Sequence, residues 1–215
     1  MGIVRARYVN GGTLRLLGQA LTALGVFAVL AGPIYLINGL TQARGAVRVP
    51  VAVLPGPEGE TVVYLPVAGL PDEAFVAVQG RIGELSALDS TMLEQFLGRA
   101  DDALVGLAVG CAVWLLRPVI ASLSAGNAFG AGNARRLYGL GVLTAVVTLV
   151  APMFPVGAAT LVLHRIGVET SGPDALLQPQ LDVRAEWLVA AVVLVVLAEA
   201  FRQGERLHED TEGLV

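Results

Sequence analysis

Four stretches of this chain are nearly free of charge, at residues 14–40, 103–123, 137–163 and 187–198. A helix needs about 20 apolar residues to cross a hydrocarbon core of about 30 Å, and the first three stretches meet that need. This limits the fold more than any motif does. Residues 187–198 are too few alone, so a fourth span must recruit neighbours over residues 183–203 and place Glu186 and Glu199 near the two interfaces, where side chains can snorkel. Composition agrees: the chain is 55% hydrophobic and 15% charged, with a mean hydropathy of +0.70, too apolar for an ordinary soluble domain. The expected fold is an all-α integral membrane protein with four transmembrane helices, at residues 14–40, 102–123, 137–163 and 183–203.

Residues 1–13 form a tail carrying Arg5 and Arg7, with Arg15 just beyond. A secretory signal has an apolar region of about 7–15 residues, whereas this run continues uncharged to Gln42; an uncleaved first span is expected. Gly11, Gly18, Gly25, Gly32 and Gly39 recur every seventh residue, which keeps them near one helix face. Small residues on one stripe let helices approach closely in lipid, although 26 glycines in one chain also produce such spacings by chance. Pro33 is expected to bend the outer end of the span.

Residues 41–101 read as a small β-containing insertion between the first two spans. Val47, Val49, Val51 and Val53 alternate at period two, residues 61–65 and 75–78 are β-prone, and residues 55–59 (PGPEG) form a turn. Pro50 and Pro66 place their strands at an edge or a kink. From Ile82 the pattern turns helical, and Thr91 with Glu94 has capping-box spacing for a helix that can run into the second span. In that span Gly106 and Gly110 have GxxxG spacing.

The connector, residues 124–136, joins spans two and three. Gly126 suits a left-handed helix cap, and Asn127 and Asn133 can satisfy free backbone groups beside it. Pro152 and Pro155 predict a kink or break in the third span, a feature that lines substrate sites in some transporters but is also an ordinary packed bend. An outer loop at residues 164–182 and a charged tail at residues 204–215 complete the chain.

Arginine supplies all the basic charge, which with abundant Ala, Gly and Val suggests a GC-rich bacterial genome. Its distribution orients the spans. The short segment from Arg117 to Arg136 holds three arginines and no acid, whereas the short segment from Arg165 to Glu186 holds two arginines against Glu169, Asp174, Asp182 and Glu186. The positive-inside rule puts the connector and both termini in the cytoplasm of a bacterial inner membrane, with the insertion extracytoplasmic.

No catalytic set emerges. His164 and His208 are expected on opposite sides of the membrane, and HExxH, CxxC, GxSxG and P-loop spacings do not occur. No metal, cofactor or enzymatic activity is expected, Cys111 reads as a buried free thiol, and no direct nucleic-acid contact is expected. Glu199 is the possible intramembrane acid, either an interfacial partner of Arg202 or a proton relay. Phe129, Asn133, Arg135 and Arg136 form the candidate contact surface, for a protein partner or for anionic lipid headgroups.

Two stretches resemble a family of bacterial four-span membrane proteins, domain of unknown function 2975. The connector is similar to that family's at Gly126, Phe129, Asn133, Arg136 and Leu137, with Ala128 where the family usually has proline. The end is similar at Leu197, Ala198, Glu199, Phe201, Arg202, Gly204, Leu207, Glu209 and Asp210. The resemblance covers nearly the whole chain and implies four spans. Genes of that family often stand beside one for a small helix-turn-helix regulator, which implies a cytosolic protein partner besides the lipid bilayer. The expected role is regulatory or sensory; the alternative is a small transporter or lipid-binding membrane protein.

Overall fold

Helices carry most of the chain, with a small sheet inserted among them. The computed structural model describes residues 11–42, 45–53, 74–79, 82–127, 129–130, 132–170, 175 and 177–212, with side chains except at 11, 14, 15, 74–79, 82 and 208–212. In order the elements are α1 (Gly11–Thr41), β1 (Val47–Val53), β2 (Ala74–Gln79), β3 (Ile82–Ala87), α2 (Met92–Ser124), α3 (Asn133–Val150), α4 (Met153–Arg165), β4 (Leu177–Pro179) and α5 (Ala185–Glu212). The expected strand at residues 61–65, the turn at 55–59, Pro66, Arg5 and Arg7 lie outside the described residues.

Three helical stretches are long and apolar enough to cross a membrane: Leu16–Thr41, Met92–Ser124 and Asn133–Arg165, the last comprising α3 and α4. The segment expected to form a fourth span, within α5, is not among them. Between α3 and α4 the helix breaks at Ala151 and Pro152. Pro155 has no N–H to offer the Ala151 carbonyl, which instead accepts from Phe154 N at 3.2 Å, a tighter turn.

The chain divides into two compact units. One comprises Ala31–Val105 and Val147–Arg184, and it contains the sheet, whose strand order is β2-β3-β1-β4 with antiparallel pairing throughout. Val47, Val49 and Val51 turn to one face, where they meet Leu85 and Ala87 of β3, Leu177 of β4, and Ala158, Ala159, Val162 and Leu163 of α4. The two alanines let the α4 backbone lie close to the sheet. Gly98 of α2 does the same, since a Cβ there would stand 2.9 Å from Val47 Cγ2.

Three features of this unit depart from the sequence reading. Residues 82–87 form a strand, not the start of a helix, because Leu85 and Ala87 alternate into the core opposite Val49 and Val47. The outer loop contributes β4, whose Leu177 is fully buried. β1 is an interior strand despite Pro50. The Pro50 carbonyl accepts from Gln180 N at 3.2 Å, beyond the last β4 pairing at Pro179. Its ring nitrogen therefore points away from β3, to the side where the β4 pairing ends, and the β1–β3 ladder loses no hydrogen bond.

The start of α2 is a reciprocal capping box. Glu94 N donates to Thr91 Oγ1 at 3.2 Å, and Thr91 N donates to Glu94 Oε2 at 2.8 Å. Glu94 also accepts from Arg165 Nε at 2.9 Å, tying the end of α4 to the start of α2, while Arg165 Nη2 donates to the Leu88 carbonyl at 3.2 Å. Next to it the buried Gln95 donates to the Gly45 carbonyl at 3.1 Å and to Ser90 Oγ, and accepts from Arg99 Nη1. The Arg99 guanidinium stands 5.4 Å from the centre of the Tyr35 ring. In α1, Gly32 faces α2 backbone: a Cβ there would lie 2.9 Å from Ala103 Cα and from the Asp102 carbonyl.

The other unit comprises Met1–Leu30, Gly106–Val146 and Ala185–Val215. Here Gly25 of α1 faces Val113 of α2, Leu115 of α2 reaches Gly139 of α3, and Gly141 of α3 faces Ala191 and Val195 of α5. Each helix pair meets where a glycine removes a side chain. The outward surfaces remain apolar: Phe27, Leu30, Trp114, Val146, Val189, Val192 and Val196 are all exposed. Cys111, expected to be buried, is exposed as well.

Candidate functional site: the connector and the end of α5

α2 ends in a Schellman motif. Gly126, at φ +82°, adopts the left-handed conformation that closes it, and Gly126 N donates to Leu123 O at 3.1 Å while Asn127 N donates to Ser122 O at 3.0 Å. The chain then turns into α3 through Gly132, at φ +88°. Asn133 is 1% exposed; its Nδ2 donates to Ser122 Oγ at 2.8 Å and its Oδ1 accepts from Arg136 Nη1 at 3.2 Å. Ser122 Oγ in turn donates to the Asn127 carbonyl. One buried amide thus joins the end of α2 to the start of α3.

α5 closes over this turn. The Phe129 and Phe201 rings lie 5.4 Å apart, centre to centre, at 52°. Gly204 lies directly beneath Phe129, where any Cβ would overlap the ring. One residue on, Glu205 Oε1 accepts from Ala134 N at 3.2 Å, placing a carboxylate where α3 presents free amides and the positive end of its dipole. The connector and the end of α5 form a clasp of aromatic, amide and carboxylate contacts.

The clasp redistributes the expected contact surface. Asn133 is consumed inside it, Arg136 is turned onto Asn133, and Phe129 is half taken up by Phe201 and Gly204. Arg135 stays exposed. The two stretches that carried the family resemblance lie far apart in sequence, yet Phe129 meets Phe201 and Gly204 in space. Ser122 and Glu205 are working members that the sequence did not single out. A local signal for Glu205 existed only as one more charge in an alternating tail.

Glu199 is exposed and paired along its own helix. Arg202 Nε and Nη2 donate to its two oxygens at 2.7 and 2.5 Å, and Gln203 Nε2 adds a bond of 3.0 Å. This bidentate pair on one helix face neutralises the acid locally. Among the described residues no group of three or more His, Cys, Asp or Glu could hold a metal ion. Also among them, Asp101 Oδ1 is the one buried side-chain oxygen or nitrogen without a hydrogen-bond partner. Compared with protein-family models, curated proteins and solved structures, the chain matches none of them.

Proposed function

We propose that this chain is a non-enzymatic, four-span protein of a bacterial cytoplasmic membrane, acting as the regulatory or sensory partner of a small cytosolic helix-turn-helix protein. Three helices of spanning length and apolarity support the membrane reading. For α5 the support is its surface: Trp187, Val189, Val192, Val193 and Val196 all face outward, an arrangement suited to lipid rather than water. Arginine placement supports cytoplasmic termini and a cytoplasmic connector.

The clasp carries the regulatory reading. Phe129, Gly204 and the Glu205 bond to Ala134 link the connector to the end of α5, so a shift of α5 against α3 changes the surface offered to a cytosolic protein. The neighbouring regulator gene implied by the family resemblance supplies the kind of partner. The test is capture of proteins from native cells by the detergent-solubilised chain, wild type against Gly204→Leu, with mass spectrometry. A small helix-turn-helix protein enriched by wild type and lost from the variant is expected, because leucine at position 204 expels the Phe129 ring. Enrichment of nothing cytosolic by either chain would remove the regulatory reading. It would favour the alternative of a small transporter or lipid-binding protein, for which the unpartnered Asp101 oxygen is the specific support.

A further inference from the structure

Between Asp102 and Glu169 the chain contains no carboxylate side chain, yet this stretch carries Arg117, Arg135, Arg136 and Arg165, the last of them paired with Glu94. On α5, Glu205 accepts from Ala134 N and Glu199 is held by Arg202. Arg136 Nη1 donates to the neutral Asn133 amide, and Arg117 and Arg135 are exposed with no carboxylate within ion-pair distance among the described residues.

Each of the two exposed arginines has an aromatic side chain on its own helix face, three residues toward the apolar interior. Trp114 stands below Arg117 on α2 and is 76% exposed; Tyr138 stands below Arg135 on α3 and is 54% exposed. Residues three apart share a helix face. The two pairs are also level. Leu115 Cδ1 lies 3.7 Å from the Cβ position of residue 139, and counting about 1.5 Å per residue from that contact puts the two arginines within about 3 Å of each other along the helix axes, and the two rings likewise.

We infer that Arg117 and Arg135 are binding positions for the phosphate of anionic phospholipids, with the Trp114 and Tyr138 rings seated beside the upper acyl chain. Charge selects the ligand: a guanidinium without a protein counter-ion pairs with phosphate, and an amphipathic ring at the next turn suits the glycerol level of the same molecule. The two pairs sit on separate helices and take separate lipids. The inference rests on the membrane reading above, and it leaves the clasp and the end of α5 to a protein partner.

The experiment places wild type and an Arg117→Gln, Arg135→Gln double variant in bilayers of phosphatidylcholine, alone or mixed with phosphatidylglycerol, and counts retained lipids by native mass spectrometry. Wild type is expected to retain phosphatidylglycerol over phosphatidylcholine by about tenfold or more, and the variant to lose that preference. Inorganic phosphate in the buffer is expected to leave the preference unchanged, which separates a membrane lipid from a free anion. Equal retention of both lipids by wild type overturns the inference, and so does a preference that survives in the variant, since other cationic groups would then be responsible. Failure of wild type to insert into phosphatidylcholine alone strikes the membrane reading itself.

Discussion

Glu94→Ala is expected to destabilise the protein by about 3 kcal/mol or more, the range for breaking an inward-facing ion pair with loss of a helix cap added. The Glu94 side chain is 2% exposed and that of Arg165 is 29% exposed, so the pair does not belong with surface salt bridges, whose worth is about 0–1 kcal/mol. Alanine leaves Thr91 N without its acceptor and the Arg165 guanidinium without its counter-charge. Glu94→Gln keeps an acceptor for Thr91 N but removes the charge, and a smaller loss is expected. Unfolding of the purified protein by denaturant, monitored by circular dichroism, ranks the three chains. A Glu94→Ala variant within about 0.5 kcal/mol of wild type, the level of a neutral surface change, contradicts this account of the α2–α4 tie.

A second large effect is expected along the glycine stripe of α1, and it should be graded. Gly18 has nothing within 4 Å of its Cβ position, Gly25 faces the Val113 side chain at 2.9 Å, and Gly32 faces the backbone of Asp102 and Ala103 at 2.9 Å. A side chain can rotate away; backbone cannot. Gly32→Val is therefore expected to cost about 3 kcal/mol or more by overpacking, Gly25→Val about 1–2 kcal/mol, and Gly18→Val less than about 0.5 kcal/mol. The same unfolding measurement reads all three. Equal effects at Gly18 and Gly32 would show that the stripe acts through glycine's own flexibility rather than through close helix approach.

What was legible in the sequence was local in origin. The alternation of Val47, Val49 and Val51 marks a strand because its period matches the pleat, and Thr91 with Glu94 marks a helix start because the cap closes within one turn. Gly126 and the break near Pro152 are likewise backbone statements written in single residues. The missing parts depend on long-range partners. β4 is three residues long, and only pairing with Val51, Ala52 and Val53 makes it a strand. Ile82 to Ala87 carries Gly83, Glu84 and Ser86, weak strand formers whose state is decided by neighbours β1 and β2.

The candidate site divides in the same way. Its residues were prominent as an unusual polar stretch between apolar blocks, and Phe129, Asn133 and Arg136 do belong to one structure. Their roles were not readable, because each is set by a residue distant in the chain: Gly204 beneath Phe129, Ser122 beside Asn133, and Glu205 at the start of α3. A polar side chain with an internal partner and one awaiting an external partner look alike until the partner is placed.

The central claim, four spans with the connector and the end of α5 on one side, is tested most directly by cysteine accessibility in whole cells. With Cys111→Ser as background, Ala125→Cys, Asp182→Cys and Leu207→Cys are made one at a time; all three positions are exposed. Labelling with a membrane-impermeant maleimide is predicted at position 182 in intact cells, and at positions 125 and 207 only after permeabilisation. Labelling of position 207 together with 182 in intact cells, with 125 still protected, would mean that α5 does not cross, and would contradict the account.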